Sequence, residues 1–216
     1  LLAALQNIFR FPPFNTPSDR FSALAPLSNT LMSAANTTNP TTNTDDNKIL
    51  LKIYNLVRKE TDLFFDHHSD DRKSTVSMTN GEITMGSLEK VVNIITTSMD
   101  DQKYRLTGSS KGFIDIGSGF GKVVFHVAFA TGISRCHGIE YVPVRHNKSK
   151  EVLRMIRNLD LAALPNVDLM QGDAADLESL DYSHVYMYDK VFSVDLFEKL
   201  APLINKSPEV KVLVSF

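Results

Sequence analysis

Between Phe113 and Val124 the chain reads Phe-Ile-Asp-Ile-Gly-Ser-Gly-Phe-Gly-Lys-Val-Val. This is a short apolar strand running into a glycine-rich turn and then a helix. Glycines at 117, 119 and 121 let the backbone turn tightly and approach a ligand with no side chain between them, and the helix that follows points its free amides and positive dipole end at that ligand. Asp115 sets the chemistry, because it is a carboxylate near the end of a buried strand, two residues before the first glycine. A loop built for a pyrophosphate carries an apolar residue there, since an anion would repel the ligand. The group that suits Asp115 is a cation.

S-adenosylmethionine offers an α-ammonium and a sulfonium on a nucleoside. The segment therefore predicts a site for it, with Gly117, Ser118, Gly119 and Gly121 in the loop and Asp115 beneath. The alternative is a strand-to-helix turn whose glycines serve packing alone. Further on, Cys136-His137-Gly138-Ile139-Glu140 reads as a second strand ending in an acid, near the spacing at which α/β nucleotide sites place a ribose-binding carboxylate. Asn166 to Ala174 reads as a third strand whose Asp173 can accept from an adenine amino group. Taken singly, Glu140 and Asp173 could each be a solvated acid capping the next helix.

The fourth strand, Tyr182 to Tyr188, leads into Asp189-Lys190-Val191-Phe192, and in an open α/β sheet the carboxyl ends of the strands face the ligand. An acid or amide followed three residues later by an aromatic suits transfer to an amino group. The oxygen orients the nitrogen lone pair, and the ring face stabilises developing positive charge. Asp189 and Phe192 are the catalytic candidates, against the alternative of an Asp capping the helix that starts near Ser193 with Phe192 in the core. Tyr186 and Tyr188 could line an access channel, although alternating aromatics in a strand are more often core.

In order, Asn80-Gly81-Glu82-Ile83-Thr84, the loop from Asp115 to Val124, Gly138-Ile139-Glu140, Gln171-Gly172-Asp173 and Asp189 to Phe192 resemble the Dot1-like histone lysine methyltransferases, over about residues 78–216. The resemblance implies a class I methyltransferase fold, S-adenosylmethionine as cofactor, a histone or nucleosomal lysine as substrate and a nuclear location, with cytoplasmic or mitochondrial placement as alternatives. It also implies that Glu82 lies near the cofactor's amino-acid end, with Thr84 as a hydrogen-bond partner. Two departures stand out. Lys122 replaces a family Gln beside the loop, and Asp189 replaces a family Asn. An Asn amide both donates and accepts, whereas an ionised Asp only accepts and favours the charged form of an approaching lysine.

At 216 residues, 43% apolar and 22% charged, the chain can bury one adequate core. No apolar run has the length of a membrane span, and the single Cys136 gives neither a disulfide framework nor a thiolate metal site, which suits a reducing compartment. His67, His68, Asp70 and Asp71 lack ligand spacing and read as a polar loop without metal. A net charge of −2 offers no general basic face for nucleic acid. Basic residues cluster once, at Arg145, Lys148, Lys150, Arg154 and Arg157, a pattern commoner in a solvated helix face than in a phosphate contact.

The elements that must position these groups fall into three parts. Residues 1–47 read as a polar extension or linker, acid-poor before Asp45, with a Ser/Thr/Asn tract from Ser28. The start without Met suggests processing, trimming or engineering, and Arg10 and Arg20 hint at a transit-peptide remnant. Residues 48–104 form a helical N-terminal lobe and cofactor-covering loop. Residues 105–216 form the S-adenosylmethionine-binding α/β domain, a Rossmann-like doubly wound sheet. The alternation of apolar patterns predicts strands at 113–116, 136–140, 166–170, 183–188 and 210–215, and helices near 86–99, 121–131, 144–160 and 193–205. Two further C-terminal strands are expected of such a sheet, so either the chain is truncated or a partner subunit completes that open edge. Two other functions stay open, an assembly or binding subunit with a methyltransferase fold and an N-methyltransferase of nucleic acid or a small molecule.

Overall fold

A computed structural model describes residues 8–10, 44–67, 83–159 and 166–216. The sheet contains β1 (Ile8–Arg10), β2 (Phe113–Ile116), β3 (Arg135–Glu140), β4 (Asn166–Gln171), β5 (His184–Met187) and β6 (Val212–Val214), in the order β1-β6-β5-β2-β3-β4. β2 to β6 run parallel, and β1 pairs antiparallel with β6. The helices are α1 (Thr44–His67), α2 (Met85–Asn93), α3 (Lys122–Thr131), α4 (Pro143–Arg157) and α5 (Val194–Lys206). The last turn of α2 widens to π geometry over Ile94–Ser98.

Strand order reverses at β2, which is flanked by β3 on one side and β5 on the other. In doubly wound sheets the ligand crevice opens at that reversal, beyond the carboxyl ends of the strands. Each face is closed by apolar side chains. Ile53 and Val57 of α1, Leu88 and Val91 of α2, Phe125 and Val127 of α3 and Leu153 and Ile156 of α4 pack on one face with Phe113, Cys136 and Tyr186. Leu200, Leu203 and Ile204 of α5 cover the other, against Ile114, Ile116, Val185 and Met187. Full burial of each such side chain contributes about 1.5–3 kcal/mol. All four residues of β2 are buried, and Asp115 is the charge among them.

Local signals explain most boundaries. Thr84 caps α2 by accepting from Ser87 N at 3.2 Å, and Ser193 caps α5 by accepting from Leu196 N at 3.2 Å. Gly132, in the left-handed region at φ 62°, ends α3. Two expectations change. α1 begins at Thr44, inside the stretch read as linker, with Asp45 and Asp46 in its first turn. Ile8–Arg10 is a strand, so the β6 edge that sequence patterning left open carries a strand from the chain's own N-terminal segment. Three residues are too few to show a period, and their partner lies some two hundred residues away.

Candidate cofactor site

The glycine loop is built against the end of β3. Gly117 N and Ser118 N both donate to Ile139 O, at 2.9 and 3.1 Å, and Gly121 N donates to Ser118 O at 2.8 Å. Gly121 adopts φ 85°, and a Cβ there would stand 2.6 Å from the Phe125 ring, so no side chain fits. Gly138 of β3 matters as much. A Cβ on it would meet Ser118 Cβ and Oγ at 2.7 Å and Val124 Cγ2 at 2.9 Å. The loop therefore lies directly on the β3 backbone, with Gly138 in register beside Asp115.

Glu140 holds this loop. Its Oε2 accepts from Gly119 N at 2.7 Å and its Oε1 from Val142 N at 2.9 Å, in a side chain only 4% exposed. Asp115 is 3% exposed, and burial first, then the charge of Glu140, pushes its carboxyl well above the usual carboxylate range. A carboxyl in that state gains most from a cationic partner, which would draw it back to the ionised form. Asp173, at the end of β4, caps a short turn by accepting from Ala175 N at 2.9 Å through Oδ1. Asp173 thus takes the capping role weighed against ligand binding, whereas Glu140, buried, ties the loop to the residue before α4 and caps no helix; a carboxylate's further lone pairs leave room for a ligand at each.

At the end of β5, Phe192 and Asp189 take different surroundings. The Phe192 ring meets the loop through one edge, its Cζ and Cε1 3.1–3.2 Å from where a Cβ on Gly117 would sit, and packs on Phe197 at 6.1 Å between centroids. Asp189 is buried, and its Oδ1 accepts from Phe216 N at 2.9 Å. Lys122 projects over the Tyr54 ring of α1, 5.5 Å from its centroid. Tyr54 also meets His126 Nδ1 at 3.0 Å, and burial lowers that imidazole to about 4. These contacts bind α1 to α3 beside the loop. Thr84 is exposed and engaged with Ser87. Glu82 lies outside the described residues, as do Asn80 and Gly81.

The structure brings together Asp115, Gly117, Ser118, Gly119, Gly121, Glu140 and Phe192. Sequence reasoning gave no role in the site to Gly138 or to the Tyr54–His126 contact. A small residue opposite the loop acid in the neighbouring strand was the available sign of the first. The second spans 72 residues and leaves no local pattern. Among the described residues no cluster of His, Cys, Asp and Glu could hold a metal ion, and no helix is long and apolar enough to cross a membrane.

Residues 72–160 match the model of the family described as histone methylation protein DOT1, a segment that includes the loop, Asp115 and Glu140. This is an S-adenosylmethionine-dependent methyltransferase. No curated protein matches the chain. Solved structures with a similar course include an RNA methyltransferase from Salinibacter ruber in complex with S-adenosylhomocysteine, 20% identical over 62% of this chain and 76% of that one, with a TM-score of 0.47. Another is an S-adenosylmethionine-dependent methyltransferase from Thiobacillus denitrificans, 17% identical over 68% and 52%, TM-score 0.43. A third is a putative O-methyltransferase from Klebsiella pneumoniae, 11% identical over 87% and 69%, TM-score 0.47. The methyltransferase's acid groups fit the cofactor. The buried, proton-favouring Asp115 suits an ammonium, and Glu140 at the loop suits a ribose. The family match stops before Asp173, Asp189 and Phe192.

Proposed function

We propose that the methyltransferase acts on the side-chain nitrogen of a protein lysine, with a histone as substrate and the nucleus as its place of action. The observation that carries this reading is the Phe192 ring lying on Gly117, three residues after Asp189 at the carboxyl end of β5. An aromatic ring at the cofactor loop suits an approaching amine on which positive charge develops, and hydroxyl or carbon acceptors gain less from it. The description of the matching family, histone methylation, agrees with that choice.

S-adenosylmethionine, when bound, supplies an electrophilic methyl on a sulfonium. The chain's residues supply position. Asp115 would hold the amino-acid end, Glu140 the ribose, and Phe192 one wall of the path to the methyl. Asp189 works through two effects. Its Oδ1 fixes the main chain at Phe216, and its charge favours the protonated form of a nearby lysine. A lysine reacts only when neutral, so the charge of Asp189 places the active range at higher pH.

Of the five basic residues of α4, Lys150 and Arg154 are exposed, while the other three are engaged within the fold or buried, so the helix does not present one basic face to a nucleic acid. Lys148 pairs with Glu60 and Glu151, Arg157 donates to Val167 O at 3.2 Å, and Arg145 is buried. The test is methyl transfer to nucleosomes, histones and lysine peptides followed by mass spectrometry, with RNA and DNA in parallel. Asp189→Asn keeps an acceptor for Phe216 and removes the charge, so the rising limb of the rate against pH should move to lower pH with little change in stability. Methylation confined to nucleic acid, or an unmoved pH limb, would overturn the reading.

A further inference from the structure

Tyr186 carries a polar atom that the fold does not use. The side chain is 1% exposed, and its hydroxyl has no hydrogen-bond partner among the described residues. A buried hydroxyl left unpaired costs about 1–3 kcal/mol, and a Phe would fill the same space without that cost. The ring is fixed by Phe113, 6.4 Å away between centroids, and by Phe216 at 5.6 Å, so the hydroxyl cannot swing out to water without breaking aromatic packing.

Its place in the sheet gives it a purpose. Tyr186 is the residue of β5 in register with Asp115 of β2, across the strand pair where the order reverses. Both belong to the face on which Phe113 and Cys136 lie, and both come close to the carboxyl ends of their strands. Among the described residues, the groups that act electrostatically on the hydroxyl are Asp115 first, then Tyr188, Tyr54 and Asp189, none of them a cation. Burial and these neighbours keep it protonated. An oxygen with lone pairs to offer, beside a buried acid and among acidic and phenolic groups, accepts best from a cationic donor.

We infer that the Tyr186 hydroxyl is a second ligand of the cofactor's α-ammonium, accepting from it beside Asp115. This rests on the assignment of the loop to S-adenosylmethionine and adds the residue that completes its amino-acid end. Asp115 supplies the charge and Tyr186 a fixed neutral acceptor, so the ammonium is both neutralised and oriented. The hydroxyl left over by the fold is satisfied by the ligand.

The experiment is calorimetric titration of the full chain and of Tyr186→Phe with S-adenosylhomocysteine and with 5′-methylthioadenosine, which lacks the amino-acid end. Thermal denaturation of both proteins without ligand accompanies it. Removing a hydrogen bond to a charged group should lower affinity for S-adenosylhomocysteine about tenfold or more. Affinity for 5′-methylthioadenosine should stay within about twofold, and the unliganded variant should melt no lower than the wild type. Equal loss for both compounds would make Tyr186 structural, and no loss for either would make its hydroxyl idle; each result overturns the inference. If the wild type takes up neither compound, the cofactor assignment itself fails and the inference falls with it.

Discussion

Replacing Glu140 by Gln tests whether this side chain organises the loop or only meets the ribose. In the structure one carboxylate oxygen accepts from Gly119 N at 2.7 Å and the other from Val142 N at 2.9 Å. A carboxamide has one acceptor and one donor, so either orientation sets an NH2 group against a backbone N–H. One hydrogen bond to a charged group is lost, about 1.5–3 kcal/mol, and a buried amide is left facing a donor. For a chain of 216 residues, a loss of about 2 kcal/mol lowers the melting temperature by about 4–8 °C. The charge of Glu140 also raises the pKa of Asp115, so its removal lets Asp115 ionise more readily and hold an ammonium better. The two effects separate by ligand. Affinity for 5′-methylthioadenosine should fall about 10–100-fold, following the loop term, and affinity for S-adenosylhomocysteine should fall less because Asp115 offsets part of it. Thermal melting and calorimetry on both ligands read these quantities. An unchanged melting temperature together with unchanged affinities would refute the view that Glu140 holds the loop.

Asp115→Asn should raise stability while removing cofactor binding. Because the folded pKa of Asp115 lies well above the unfolded value near 3.9, its contribution is fully present below about pH 3.9 and drains away as pH climbs toward the raised value. Wild type and variant should therefore have similar urea midpoints near pH 4, with the variant ahead at pH 8; a variant weaker at both, or one that still binds S-adenosylhomocysteine normally, would contradict this. Gly138→Ala drives a Cβ to 2.7 Å from Ser118 Cβ, an atom fixed to the loop, and should cost about 1–3 kcal/mol with a clear drop in cofactor affinity. Gly172→Ala, whose new Cβ would meet nothing closer than Ile139 Cδ1 at 4.0 Å, is the matched control, and equal urea midpoints for the two variants would refute the close-packing argument.

The strands and helices were legible because their signals act within a few residues. The apolar pattern of Phe113 to Ile116 reports its own neighbourhood, whereas the caps at Thr84 and Ser193 and the stop at Gly132 emerged only from the structure. Asp115 was legible for the same reason, as a charge inside an otherwise apolar strand.

Sequence alone determined the class of fold, the glycine loop and the acid beneath it, since strand, turn and helix propensities are local and a buried carboxylate next to glycines has few uses. Tertiary structure decided which groups meet. Gly138 lies under Ser118, Glu140 reaches back to Gly119, Asp189 is tied to Phe216, and Tyr186 stands opposite Asp115. Tyr186 and Asp115 are 71 positions apart in the chain, and Phe192 and Gly117 are 75 apart. They become neighbours only because β5 inserts beside β2 where the strand order reverses, and the free energy that selects this order comes from burying both faces of the sheet at once.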